Sequence, residues 1–231
     1  NSRILIKEGN LPLMPGQIHH SSTTEIKVIK LMHTILSRIG KGGMKTYKFA
    51  RLSETRNILA IGKYKKELDN PIQYDLFEIL RLVNGKPYIS AGVFCNIISY
   101  QSKKCSSYIL ANYAKCTLEE RMLHGFKIGE KWKFTHHILK AVDYLHANGI
   151  AHCDIKPDNV HILDAIDGSG EIACLADFDF ATKGSVYSPC TTRCYAAPEI
   201  LKPGKFNISM LKTADIYSAG SVLYEMHEGK H

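Results

Sequence analysis

The chain has no Cys-x-x-Cys pair, a single tryptophan, and no apolar run of the roughly 20 residues that a membrane-spanning helix needs. The first absence argues against a zinc knuckle. The seven cysteines (95, 105, 116, 153, 174, 190 and 194) are an odd number, which argues against a complete disulfide framework and for a reducing, intracellular compartment. No signal-peptide pattern opens the sequence, and Asn1 in place of methionine reads as the start of a fragment. Internal repeats and low-complexity tracts are also lacking. Acidic residues are the scarcer charge, 22 against 30 basic, for a net charge of +8. That balance favours anionic partners in general. The lysines are dispersed apart from Lys63-Tyr64-Lys65-Lys66 and Lys103-Lys104, and no aromatic-basic motif accompanies them. Nucleic acid is therefore not the expected partner.

What is present falls into two halves. Residues 1–30 hold Pro12, Pro15, Gly16, His19-His20 and a Ser-Ser-Thr-Thr cluster, an irregular lead-in. The stretch from Thr34 to Ile39 meets Gly40-Lys41-Gly42-Gly43 and then Thr46 to Ala50, a strand, glycine turn and strand. A third strand runs over Ile58 to Lys63. Apolar residues at Leu76, Phe77, Leu80 and Val83 have helical spacing over 74–83. Strand-like runs follow at 88–100 and 107–113. The second half is more helical: 132–148 carries Phe134, Ile138, Leu139, Val142 and Leu145 as one face, with Gly149 as a stop. Short strands at 160–163 and 172–176 and a helix over 214–226 complete the pattern.

Several runs carry chemistry. In His152-Cys153-Asp154-Ile155-Lys156-Pro157-Asp158-Asn159, Asp154 can accept a proton from a hydroxyl, Lys156 can neutralise phosphate charge, and Asn159 can hold a cation. Asp177-Phe178-Asp179 follows an apolar strand and places a carboxylate where it can bind a metal that bridges phosphates. Gly40, Gly42 and Gly43 can bring backbone amides close to phosphates. Thr191 to Glu199 ends in Tyr195-Ala196-Ala197-Pro198-Glu199, and Asp215-Ile216-Tyr217-Ser218-Ala219-Gly220 opens an apolar stretch.

Taken in order, these runs resemble the eukaryotic-type Ser/Thr protein kinases, over about Ile39 to Lys230. The resemblance implies an α+β, bilobal protein-kinase-like fold. An antiparallel, β-rich N-lobe would cover 31–113 and a mainly helical C-lobe 114–231, incomplete after the long buried helix. It implies ATP and Mg2+ as cofactors, with Asp154 as base, Lys156 as transition-state cation, and Asn159 and Asp177 as metal ligands. Lys63 would position phosphates, paired with Glu78, although Lys65, Lys66 and Asp75 remain alternatives. The residue that roofs the adenine falls at Thr46 or Tyr47. Ala111, Asn112 and Tyr113 would line the adenine side, with Ala111 at the gatekeeper position. Thr192 would bond Asp154 and Lys156, while His152, Phe178, Glu199 and Asp215 would be structural.

The departures from that family are informative. Cys153 stands where arginine is usual, Asp179 where glycine is usual, and Gly62 interrupts the run before Lys63. The helices that follow Asp215 in the family are missing, as in a piece of a longer chain or a minimal kinase of the kind some bacterial effectors use in host cytosol. The expected partner is a protein substrate, with an activating or scaffold partner as a further candidate. Two other readings compete: a pseudokinase scaffold, favoured by the altered glycine loop and Asp179, and a small-molecule kinase of the aminoglycoside or choline type. The second lacks the Thr-x-x-Tyr-x-Ala-Pro-Glu docking run found here.

Two expectations can be measured directly. A small Ala111 leaves space behind the adenine, so bulky purine-analogue inhibitors should act on this chain and weaken on Ala111→Met; unchanged inhibition would refute the assignment. Without an arginine at 153, a phosphate on the activation segment lacks its usual partner. Activity should thus survive phosphatase treatment even though Ser185, Tyr187, Ser188 and Thr191 are modifiable, and complete loss on treatment would contradict this.

Overall fold

A computed structural model describes residues 38–41, 45–51, 58–64, 70–91, 93–98, 105–165, 167–187, 189 and 191–229. The expected irregular segment 1–30, Gly42, Gly43, Lys65, Lys66 and Ser188 lie outside the described residues. Contacts divide the chain into two units, Asn1–Leu80 with Gly92–Tyr113, and Arg81–Ala91 with Ala114–His231.

The first unit is built on an antiparallel five-stranded sheet of order β1-β2-β3-β6-β5: β1 (Arg38–Lys41), β2 (Lys45–Arg51), β3 (Ile58–Tyr64), β5 (Val93–Ile98) and β6 (Cys105–Asn112). Runs rich in Ile, Val, Phe and Tyr suit the pleated surface. Strand β3 is paired on both sides, Ala60 lying opposite Phe49 of β2 and Ala111 of β6. The β1–β2 register slips between Ile39 and Lys41, so Gly40 falls at the irregularity, a site where glycine is at home. Helix α1 (Asn70–Val83) begins four residues before the apolar pattern suggests. Its first turn contains Pro71, which is tolerated there because first-turn amides have no intrahelical acceptor. Leu76, Ile79, Leu80 and Val83 form the buried stripe.

In the second unit a four-stranded sheet of order β4-β9-β8-β7 joins β4 (Ile89–Ser90), β7 (Cys116–Thr117), β8 (Val160–Asp164) and β9 (Glu171–Ala176), with β4 parallel to β9. Residues 81–91 thus pack with this unit although they precede β5 and β6 in the chain. Helix α2 (Leu118–His124) opens on a capping box: Thr117 accepts from the Glu120 amide, and the Glu120 side chain accepts from the Thr117 amide. Helix α3 (Glu130–Ala147) buries Phe134, His137, Ile138, Ala141, Val142 and Leu145. Leu139, expected on that face, is exposed, because one residue rotates it about 100° from Ile138. The helix stops at Gly149, whose φ of 72° is the left-handed geometry that glycine allows.

Helix α4 (Ile208–Glu228) is capped by the Asn207 side chain and stopped by Gly229 at φ 67°. It starts six residues before the expected 214. Its buried face repeats through Leu211, Ala214, Asp215, Ser218, Ala219, Val222, Glu225 and Met226. A two-stranded ribbon, β10 (Val186–Tyr187) with β11 (Lys205–Phe206), closes the segment before it.

His137 is a buried pH-sensitive element of this unit. Its Nδ1 accepts from the Ala173 amide of β9 at 3.2 Å, and its ring stacks on Tyr88 at 4.1 Å. Burial, followed by Lys133 and His136, lowers its pKa to about 4. The folded state therefore prefers the neutral ring, and its contribution is lost as pH falls from the unfolded value near 6.5 towards 4. Urea midpoints measured from pH 7 to pH 4 should fall less steeply for His137→Gln than for the parent chain; parallel curves would rule out this role.

Candidate active site

The site-bearing loop is pinned from the core. Asp215 on α4 accepts the amides of His152 (2.7 Å, Oδ2) and Cys153 (2.9 Å, Oδ1) and, through Oδ2, the Nε2–H of His146 at 3.0 Å. His152 is fully buried, its Nε2 donates to the Ala176 carbonyl at 3.0 Å, and its ring meets Phe178 edge-on at 5.0 Å. One imidazole therefore ties the loop to the end of β9 and to Phe178.

Asp154 is buried and held on both oxygens. Oδ1 accepts from the Thr192 amide (3.0 Å) and hydroxyl (2.8 Å). Oδ2 lies 3.0 Å from Asn159 Nδ2 and 3.1 Å from Lys156 Nζ. Lys156 also donates to Thr192 Oγ1 at 2.9 Å. A carboxylate in this setting is fixed in orientation, and a cation stands beside it to offset charge. Pro157–Asn159 forms a 3-10 turn, and Asn159 Nδ2 donates to the Asp154 carbonyl at 2.8 Å as well. The amide oxygen of Asn159 is then its candidate metal ligand. Asn159 immediately precedes β8 and Asp177 immediately follows β9, and the Val160↔Leu175 register brings those strand ends together. An amide oxygen and a carboxylate are hard donors that suit magnesium, which keeps water and phosphate as its other ligands.

Asp177 adopts φ 61° and is half-buried, while Asp179 does not take a positive φ, so the usual glycine is not demanded at 179. Cys153 also takes a left-handed φ, 67°, and packs against the core of Ala151, Ala197, Ile200, Phe206, Leu211 and Ala214. Burial, then Asp215 and Asp154, push its thiol pKa far up. It is thus a neutral packing group, not a cation. A cavity of only about 10 Å3 borders it.

The remaining expected residues are placed as follows. Lys63 lies opposite Thr46 of β2 and Tyr108 of β6 in the strand register. Glu78 is half-buried in the middle of α1. Ala111 and Asn112 end β6, and Tyr113 follows, exposed. Glu199 is exposed in the turn after Pro198. Reading the residues alone overlooked His146 and the pair formed by Tyr195 and Glu225, whose hydroxyl and carboxylate meet at 2.7 Å. Burial and then Glu225 raise the Tyr195 pKa, so that hydroxyl stays a donor. A glutamate one helical turn from Val222 and next to Met226, on the face that carries Leu211, Ala214 and Ala219, was the available signal for Glu225; His146 has none beyond its helix. A groove of about 450 Å3 opens beside this pair, lined by Cys194, Tyr217, Gly220, Ser221 and Tyr224 as well.

Comparison with known proteins bears on the same segments. Residues 33–231 match the family model of the protein kinase domain. The chain is 27% identical over 219 residues to CBL-interacting protein kinase 33 of Oryza sativa subsp. japonica, covering 90% of this chain and 46% of the relative. It is 37% identical over 150 residues to MAP kinase-activated protein kinase 2 of Drosophila melanogaster, covering 62% and 40%. With ribosomal protein S6 kinase alpha-1 of Mus musculus the identity is 37% over 99 residues, 41% and 13% of the two chains. The chain thus spans less than half the length of these curated relatives. With the pinned loop, the clamped Asp154 and a match over most of its length, this chain belongs to the protein kinase domain family.

Proposed function

We propose that this domain transfers the terminal phosphoryl group of ATP to Ser or Thr hydroxyls of a protein substrate. The observation that carries the reading is Asp154, fixed by Thr192 through two hydrogen bonds and flanked by Lys156. Asp154 would orient the attacking hydroxyl and take its proton. Lys156 would stabilise charge on the oxygens being transferred, and its bond to Thr192 keeps the ammonium beside the reacting group. Asn159 and Asp177 would hold magnesium, which when bound neutralises charge on the phosphates. Most of the rate in such a site comes from placement and preorganised charge.

In the first unit we assign phosphate positioning to Gly40, Gly42, Gly43 and Lys63 with Glu78, and adenine contacts to Ala111, Asn112 and Tyr113. The groove beside Tyr195 and Glu225 adjoins the Thr192 segment, and we assign the substrate peptide to it. The names of the relatives agree with a protein as acceptor. A reducing, intracellular setting fits the odd, scattered thiols, of which Cys116, Cys153, Cys174 and Cys194 are free.

Labelled ATP, magnesium and a generic protein substrate test the proposal. Phosphoserine or phosphothreonine should form, and Asp154→Ala should lower kcat on the order of 10²–10⁴-fold, with Asp177→Ala comparably impaired. Nucleotide binding with no transfer would point instead to a scaffold, and transfer only to a metabolite would point to a small-molecule kinase.

A further inference from the structure

The link between α1 and β4 carries a tyrosine where its turn favours glycine. The Ile89 amide donates to the Lys86 carbonyl at 3.2 Å and closes a turn with Pro87 in second place and Tyr88 in third. Tyr88 has φ 59°, in the left-handed region. A turn with proline second and a left-handed third residue is type II, which takes glycine or asparagine there, and a bulky side chain in that geometry is an outlier. Strain of this kind persists only where surrounding contacts hold it. Here the ring makes the contact. It stacks on His137 of α3 with centroids 4.1 Å apart and planes 12° from parallel, and it meets His136 edge-on at 6.2 Å.

We propose that Tyr88 is a positioning residue for Asp177, a role that rests on Asp177 serving as the metal ligand of the proposed function. The chain of contacts between the two is short. The Tyr88 carbonyl accepts the Leu175 amide at 2.9 Å. The next two residues, Ile89 and Ser90, pair in parallel with Leu175 and Ala176 of β9. Asp177 is the residue that follows that pairing. His137, against which the tyrosine ring lies, takes the Ala173 amide at 3.2 Å, and His152 donates to the Ala176 carbonyl at 3.0 Å. The last turn of β9 before Asp177 is thus held by His152 at one group and by Tyr88 with His137 at two others.

Strand β4 is poorly equipped to hold this place by itself. It is two residues long, and the Ser90 hydroxyl is buried with no hydrogen-bond partner among the described residues. An unpaired buried hydroxyl weakens the strand that carries it. The run that leads into the turn is fixed to α3 as well: the Tyr144 hydroxyl donates to the Leu82 carbonyl at 3.3 Å, and Lys86 Nζ stands 5.7 Å from the Tyr144 ring centroid. Those contacts lie at or before the first residue of the turn. Tyr88 acts at its far corner, next to the pairing with β9.

Binding of a fluorescent nucleotide, N-methylanthraniloyl-ATP, measured with magnesium and again in EDTA, tests this without relying on turnover. Tyr88→Gly suits the turn but lacks the ring. It should weaken binding about tenfold with magnesium and leave binding in EDTA unchanged. Tyr88→Asn, also at home at a left-handed φ, should behave alike, and Tyr88→Phe should match the parent chain. Amide hydrogen exchange at Leu175 should quicken in the Gly and Asn proteins and not in the Phe protein. The proposal is overturned if Asp177→Ala weakens magnesium-dependent binding and Tyr88→Gly does not, or if exchange at Leu175 stays at the parent's rate. Equal loss of binding with and without magnesium would also overturn it, since that marks a residue that only supports the fold. If Asp177→Ala itself leaves the magnesium dependence intact, the reading of Asp177 has failed and the metal role of Tyr88 falls with it, while quickened exchange at Leu175 would still show the tether.

Discussion

A single carboxylate, Asp215, organises the second unit. It sits on the buried face of α4 and takes two backbone amides of the site-bearing loop and one imidazole of α3. Burying a charge there would be costly if any of its oxygens lacked donors. Here its two oxygens accept three donors, the His152 and Cys153 amides and the His146 ring, which offsets that cost. Removing the carboxylate would orphan three donors at about 1–3 kcal/mol each. The left-handed φ of Cys153 is the backbone's answer to that grip, since it turns two successive amides towards one side chain.

From this anchor the chemistry follows outward. With His152 and Cys153 fixed, Asp154 emerges in one orientation, and Thr192 reaches it from a segment 38 residues away. Lys156 bridges the two, so loop and docking segment are ordered together or not at all. In many relatives by resemblance an arginine before the aspartate would add a phosphate-dependent link between the same segments. In this chain Cys153 is neutral and packed on the apolar cluster under Ala197 and Ile200. Here Thr192 joins the two segments through its bonds to Asp154 and Lys156.

Much of this was legible from local pattern. The Thr117-x-x-Glu120 spacing is a helix-start signature, and α2 could have been read from it, although only one of its residues, Leu118, is buried and gives no periodicity to follow. Gly149 stops α3 because its place requires a left-handed φ. Leu139 misled because apolar character alone does not separate a core position from one a single residue off the stripe. The early start of α4 escaped because Ile208 to Thr213 has mixed polarity, and only the Asn207 cap, with its side chain on the Met210 amide, marks the boundary.

The amino-acid sequence by itself determined the chemical inventory and its order: Asp154, Lys156, Asn159, Asp177 and the run from Thr191 to Glu199, at spacings that one polypeptide can read locally. It also determined the alternation of strand and helix, since periodicity and caps act over a few residues. Tertiary structure alone decided which partners satisfy each buried group. Asp215 meeting His146 and the loop amides, Glu225 meeting Tyr195, and Cys153 becoming a packing residue are pairings between segments tens of residues apart. Their selection comes from the cost of burying a polar atom without a partner, which can favour such pairings only once the chain has closed on itself.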